Sequence, residues 1–236
     1  MQAFPVRNKQ KSADICQAFL DGAPKDATGA VFYGVDESNM DGWLTSQRNY
    51  WYIDNSYTDP QRGTYFRVTH NAMQHSGRGV SEGRRFRALG LEIKPWRRAG
   101  THIVLCPQSQ SFMRLAGYYG DWTADTVVAL NKVSDRPIRI RLWSADKLKL
   151  AQTLHDDLRG AYCLVTHSSA AAITAILAGI PAICTGPCAA APMAGTLGDI
   201  DDLPTPDRLT WAGVIADNQW TLDEFREGTA WRMLND

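Results

Sequence analysis

Short apolar runs rich in β-branched and aromatic residues punctuate this chain, and polar or helical-period stretches separate them. In the first part, the runs at 30–35, 50–55 and 65–70 predict strands, the last two with aromatic and polar positions in alternation. Residues 8–21 place Ile15, Phe19 and Leu20 on one side and predict an amphipathic helix. Residues 36–42 are polar and predict a turn. Residues 75–85 hold three glycines and no apolar period, so they predict an exposed loop.

From residue 101 the rhythm becomes regular. Apolar runs at 101–107, 138–143, 162–166 and 181–185 predict buried strands. A short helix within 108–117 and helices at 124–132, 147–159 and 170–178 fall between them. Strands alternating with helices imply a parallel sheet flanked by helices, an α/β fold of Rossmann-like type. Helices at 206–216 and 221–234 close the chain, the second opened by Thr221 with Glu224 three residues later. A division near 99–101 separates a reduced N-terminal α/β half, 1–99, from a C-terminal Rossmann-like half, 100–236, that carries the closing helices.

The stretch 162–187 is the most informative. Strand, polar break at His167, Ser168 and Ser169, an Ala-rich helix, and a second strand ending at Gly186 make a βαβ unit. Ligands of such units bind outside the carboxyl ends of the strands, where backbone N–H groups and the helix dipole favour an anion. The plainer alternative is a helix N-cap, with Ser168 serving backbone donors and His167 packed.

Composition narrows the class. The 236 residues are 44% hydrophobic and 21% charged, as in ordinary globular proteins. No apolar run approaches the roughly 20 residues of a membrane helix, and the polar, basic start lacks the apolar core of a secretory signal. Five cysteines, an odd number, fit a reducing cytoplasm without a disulfide framework. Net charge is zero but uneven: nine Lys/Arg face Glu82 and Glu92 between 62 and 98, and nine acids face three arginines from 199 onward. Those segments either pair with each other or leave a basic surface for a polyanion.

IVLCPQS at 103–109, RPIRIRLWS at 136–144 and LVTHSSAAAITAILAGIPAICTG at 164–186 together resemble the donor-binding half of GT-B glycosyltransferases. The resemblance is strongest to the capsule-polysaccharide and CDP-glycerol-transferase-like branch and covers about 101–234. It implies a metal-independent glycosyltransferase with no cofactor and a nucleotide-sugar as co-substrate. The first half, with YGVDESN, WYIDNSY and YFRVTHNAMQHSG, also resembles uncharacterised proteins of tailed bacteriophages. That likeness points to the host cytoplasm, with a hydroxylated base in phage DNA as a candidate acceptor. The alternative from another class is a non-catalytic phage protein that binds a nucleotide or a partner on the same scaffold.

Candidate residues follow from position. Gln108, Ser109 and Ser111 follow the first strand of the second half, Arg141 ends the second, His167, Ser168 and Ser169 end the third, and Gly186 ends the fourth. The resemblance places the donor diphosphate and sugar among them, with Arg141 suited to a bidentate phosphate contact. In GT-B enzymes the base comes from the first half, which makes Asp36, Glu37, Asp54 and His70 the candidates to deprotonate an acceptor hydroxyl. Turn chemistry is the competing role for each. Arg84, Arg85, Arg87, Lys94, Arg97 and Arg98, interleaved with Phe86 and Trp96, are candidates for nucleic-acid contact. Asp199-Ile200-Asp201 has a D-x-D spacing but lies in an acidic loop, and Cys184 and Cys188 lack partners at zinc spacing, so no metal is expected.

Overall fold

A computed structural model describes residues 1–5, 10–46, 48–59, 63–142 and 153–235. Two four-stranded sheets organise them. The first comprises β1 (Gln2–Pro5), β2 (Ala30–Tyr33), β3 (Tyr50–Asn55) and β4 (Phe66–His70), in that order across the sheet. β1, β2 and β3 are parallel, while β4 runs antiparallel to β3, with Asn55 opposite Phe66 and Trp51 opposite His70. Helix α1 (Gln10–Asp21) connects β1 to β2 and buries Ile15, Cys16 and Phe19. Where the sequence suggests a polar turn, α2 (Glu37–Thr45) forms instead, because Met40, Trp43 and Leu44 recur at helical spacing and pack on Phe32 and Tyr52.

The second sheet is fully parallel. It contains β5 (His102–Cys106), β6 (Ile138–Ile140), β7 (Ala161–Thr166) and β8 (Ala182–Cys184), in the order β6-β5-β7-β8. Every residue of β5 and β7 is buried, which is why these central strands read as unbroken apolar runs. Helices α4 (Gln110–Leu115), α5 (Trp122–Asn131), α6 (Leu154–Asp157) and α7 (Ala171–Leu177) lie between the strands. Most of the helix expected at 147–159, and the end of the strand expected at 138–143, fall outside the described residues.

The two halves exchange packing. Around α3 (Arg84–Ala88), Phe86, Leu89, Leu91, Ile93 and Trp96 pack on the core of the second sheet. After α8 (Leu209–Asp217), Trp220 returns to the first sheet, and its N–H and C=O pair with the C=O and N–H of Phe66 at 2.8 Å. The single closing helix expected at 221–234 is two helices, α9 (Leu222–Arg226) and α10 (Thr229–Asn235), broken at Gly228, whose φ of +72° favours glycine. Thr221 and Glu224 form the expected capping box. Trp220, Phe225 and Ala230 are buried with Phe19, Trp51 and Phe66. Each large side chain among them contributes about 1.5–3 kcal/mol to holding the chain end on the first half. None of the helices among the described residues is long and apolar enough to cross a membrane.

Candidate functional site

The chain leaves β5 toward β6 on one side, then returns past β5 to β7 on the other. Connections therefore diverge between β5 and β7, the switch point at which folds of this kind form a ligand crevice outside the carboxyl ends of the strands. Thr166 Oγ1 donates to the Cys106 carbonyl at 2.6 Å and accepts from the Ser169 N–H at 3.3 Å, which fixes the turn after β7. Gln108 then reaches across the crevice. Its Oε1 accepts from the Ser168 backbone N–H at 3.1 Å and from the Ser168 hydroxyl at 2.7 Å. Ser168 Oγ in turn lies 3.1 Å from His167 Nδ1.

The His167 ring is clamped from two other directions. Trp122, at the start of α5, meets it edge-on at 6.3 Å and donates its Nε1–H to Thr185 Oγ1 at 3.0 Å. Gly186 lies so close that a Cβ there would sit 2.3 Å from Cε1 and 2.4 Å from Nε2. Half-buried, His167 has its pKa lowered by desolvation, so the neutral ring is favoured. Of the other residues in this edge, Ser109 caps α4 by accepting from the Phe112 N–H at 3.2 Å. Ser169 Oγ accepts from the Ala171 N–H at 3.2 Å. Arg141 is ion-paired with Asp157, and its backbone N–H extends the β6–β5 pairing by donating to the Leu105 carbonyl.

A polar bridge joins the carboxyl edge of the first sheet to α4. Arg114 of α4 holds Glu37 of α2 through Nε at 2.6 Å and Nη2 at 2.7 Å. Hydrogen bonding to Arg114 lowers the Glu37 pKa, with a smaller contribution from Ser111. Asp36 accepts from Ser38 Oγ and from Asn39 Nδ2, each at 2.8 Å. Asp54 is set against the buried Arg67, whose Nη2 is 2.7 Å away, and also accepts from Tyr52 OH at 3.1 Å. Arg67 further donates to the Met73 carbonyl, and its guanidinium lies 5.5 Å and 5.1 Å from the Tyr52 and Tyr57 ring centres.

His70 is not at this edge. Because β4 is antiparallel, it stands opposite Trp51, about four residues or roughly 13 Å from the Asn55 end. There it stacks on the Trp51 indole at 4.7 Å, and burial lowers its pKa. The histidine near that edge is His75, whose N–H donates to Tyr57 OH and whose Nδ1 accepts from the Gly77 N–H at 2.9 Å.

The basic tract divides. Arg85 makes a bidentate pair with Glu224 and donates to the Gln219 carbonyl, locking α3 to α9. Arg84 pairs with Glu82, and Arg87 donates to the Glu82 carbonyl. The backbone N–H groups of Lys94 and Arg97 bond to the Leu177 and Gly179 carbonyls, and Arg98 reaches Thr205 and Asp202. These contacts put Lys94, Arg97 and Arg98 at the amino end of the second sheet, about 17 Å of strand away from the crevice. Asp199 of the D-x-D sequence accepts from the Thr196 N–H and hydroxyl and caps a short 3-10 turn.

The structure brings Gln108, His167, Ser168 and Gly186 together at one strand edge and adds Arg67, Arg114, Trp122 and His75, which the sequence alone did not single out. One signal was available: Arg67 and Thr69 alternate with Phe66 and Val68 in a strand buried on both faces, and a buried arginine needs a carboxylate.

No family model matches the chain, and no curated protein matches its sequence. Solved structures do. One is described as Thermosulfurimonas dismutans KpsC, beta Kdo 2,7 transferase, at 14% identity over 96% of this chain and 90% of that one, with a TM-score of 0.49. Another is Thermosulfurimonas dismutans KpsC, beta Kdo 2,4 transferase, at 13% identity over 92% and 89%, with a TM-score of 0.52. The likeness is one of fold. It accords with the observed architecture, a mixed α/β fold of Rossmann-like type with two largely parallel sheets flanked by helices.

Proposed function

We propose that this chain is a glycosyltransferase that moves a sugar from a nucleotide-linked donor to a hydroxyl. The observation that carries the proposal is the polar cluster at the carboxyl ends of β5 and β7, where Gln108 binds Ser168 and Gly186 packs against the His167 ring. The donor occupies the second half, at the carboxyl ends of β5 and β7. In the reaction the acceptor hydroxyl gives up its proton to a base, its oxygen bonds to the donor sugar carbon, and the nucleotide leaves with the bonding pair of the broken C–O bond.

For the acceptor, a saccharide hydroxyl is favoured over a hydroxylated DNA base. Lys94, Arg97 and Arg98 lie at the edge opposite the crevice, and Arg85 is paired with Glu224. The printed names of the structural neighbours make Kdo a donor sugar to test first. One observation favours the second reading, a nucleotide-binding protein without turnover: Glu37 and Asp54 are each already paired with an arginine.

The test is product analysis by mass spectrometry. The purified chain is incubated with UDP-, GDP-, CMP- and ADP-linked sugars, Kdo included, and with either oligosaccharides or hydroxymethylated DNA. Transfer to a saccharide supports the proposal, and transfer to DNA moves the acceptor to the basic tract. Binding without any product supports the second reading.

A further inference from the structure

The hydrogen bonds around His167 fix which ring nitrogen carries the proton. A backbone N–H can only donate, so the side-chain atom of Gln108 that meets the Ser168 N–H must be the carbonyl oxygen. The same oxygen sits 2.7 Å from Ser168 Oγ and, having no proton, must receive the hydroxyl's only one. Ser168 Oγ is left with lone pairs toward His167, so the contact at 3.1 Å is made by an Nδ1–H that donates. The neutral ring then bears no proton on Nε2, and the ring's hydrogen bond among the described residues is the one through Nδ1.

We infer that His167 meets its ligand as a hydrogen-bond acceptor at Nε2, and so takes a hydroxyl group rather than a phosphate oxygen, with Gln108 as the positioning residue that sets this polarity through Ser168. A phosphate oxygen and an unprotonated nitrogen both present lone pairs and repel. A sugar or ribose hydroxyl supplies the missing proton. If the transfer proposed above is correct, that hydroxyl is the acceptor's, and His167 removes its proton as the O–C bond to the donor sugar forms. The base then lies on the donor side of the crevice, whereas the carboxylates of the first sheet are held by Arg114, Arg67, Ser38 and Asn39.

The test reads the proton itself and does not depend on turnover. Histidine-labelled full-length protein is studied by long-range proton–nitrogen NMR at pH 8, with His167→Asn to assign the signal among the five histidines. The expected result is a proton on Nδ1 and a bare Nε2. Gln108→Glu, which still accepts twice, keeps that tautomer. In Gln108→Leu the Nδ1–H form falls from nearly the whole population to a minority, and Ser168→Ala is the second variant should Gln108→Leu lose its near-UV circular dichroism. A proton on Nε2 in the wild type overturns the inference, as does a tautomer unchanged in both variants. Protonation of Nε2 at pH 8 on saturation with UDP also overturns it, because an Nε2–H that donates to a phosphate replaces the acceptor role. Failure to transfer any sugar, with the tautomer as expected, removes the reaction but leaves the polarity of the site standing.

Discussion

At the carboxyl edge of the second sheet, Gln108, Ser168 and His167 satisfy one another without formal charge and leave one nitrogen lone pair open. At the carboxyl edge of the first sheet, Glu37 and Asp54 carry the charge, and each is matched by an arginine. The edge with the more conspicuous chemistry is thus the more fully neutralised one. Reactivity at a strand end depends on which donor or acceptor the surroundings leave unmatched. Counting acidic residues there does not reveal it.

The largest expected effect breaks the first edge. Asp54→Ala leaves the Arg67 guanidinium, with a side chain 6% exposed, without its carboxylate. Removing one partner of a buried pair costs about 3–5 kcal/mol, and the lower end applies because Asp54 itself is 30% exposed. A thermal melt should show the midpoint fall by roughly 6–12 °C at the ~2–4 °C per kcal/mol expected for a chain of this size. An unchanged midpoint means that water already serves Arg67.

Next is the second edge. Gly186→Val places a Cβ against the His167 ring, 2.3 Å from Cε1. Overpacking of this kind costs about 1–3 kcal/mol, and the displaced ring should lose the Ser168 contact, read as a mixed tautomer in the NMR experiment. A valine variant with the wild-type tautomer would show that the clamp does not position the ring.

The connection between the edges is sharpened by pH. Burial alone would raise the Glu224 pKa, but the Arg85 hydrogen bond, the Thr221 N–H and the Arg85 charge outweigh it, and the net shift is downward. Its stabilising contribution is therefore present above the unfolded carboxylate value, near ~4.3, and is lost as pH falls through the lower folded value. Glu224→Gln should cost about 1.5 kcal/mol at pH 7, the low end for a hydrogen bond to a charged group, and the difference from wild type should vanish in urea melts well below pH 4. A difference that persists there assigns the effect to packing of α9.

The smallest expected effect is informative because it is small. Removal of a general base typically lowers the rate by about 10²–10⁴-fold. Glu37→Gln should lower transfer by less than about tenfold if the base is His167. A loss of the full size would return the base to the first sheet.

The second half was the more legible in sequence for a physical reason. β5 and β7 are buried on both faces, so their apolar runs are continuous, and the turn after β7 follows directly from them. In α2 only Met40, Trp43 and Leu44 mark the inward side, and DESNMDG masked them. His70 was misplaced because strand direction leaves no trace in a five-residue run: only the antiparallel register with β3 moves it away from Asp54. Gln108 and Ser168 were each visible as strand-end polar residues, but they are 60 positions apart, and the bond that orders the site belongs to the fold. Arg114 and Glu37 meet over 77 positions for the same reason.

The central claim is that the crevice between β5 and β7 binds a nucleotide-linked sugar. Ligand-induced thermal stabilisation tests it most directly, with the wild type and Gly186→Val measured in parallel against the UDP-, GDP-, CMP- and ADP-linked panel. The account predicts that one donor class stabilises the wild type by about 2.7 kcal/mol at a hundredfold excess over its dissociation constant and leaves the variant unmoved. Equal stabilisation of both proteins, or of neither by any donor, would contradict it.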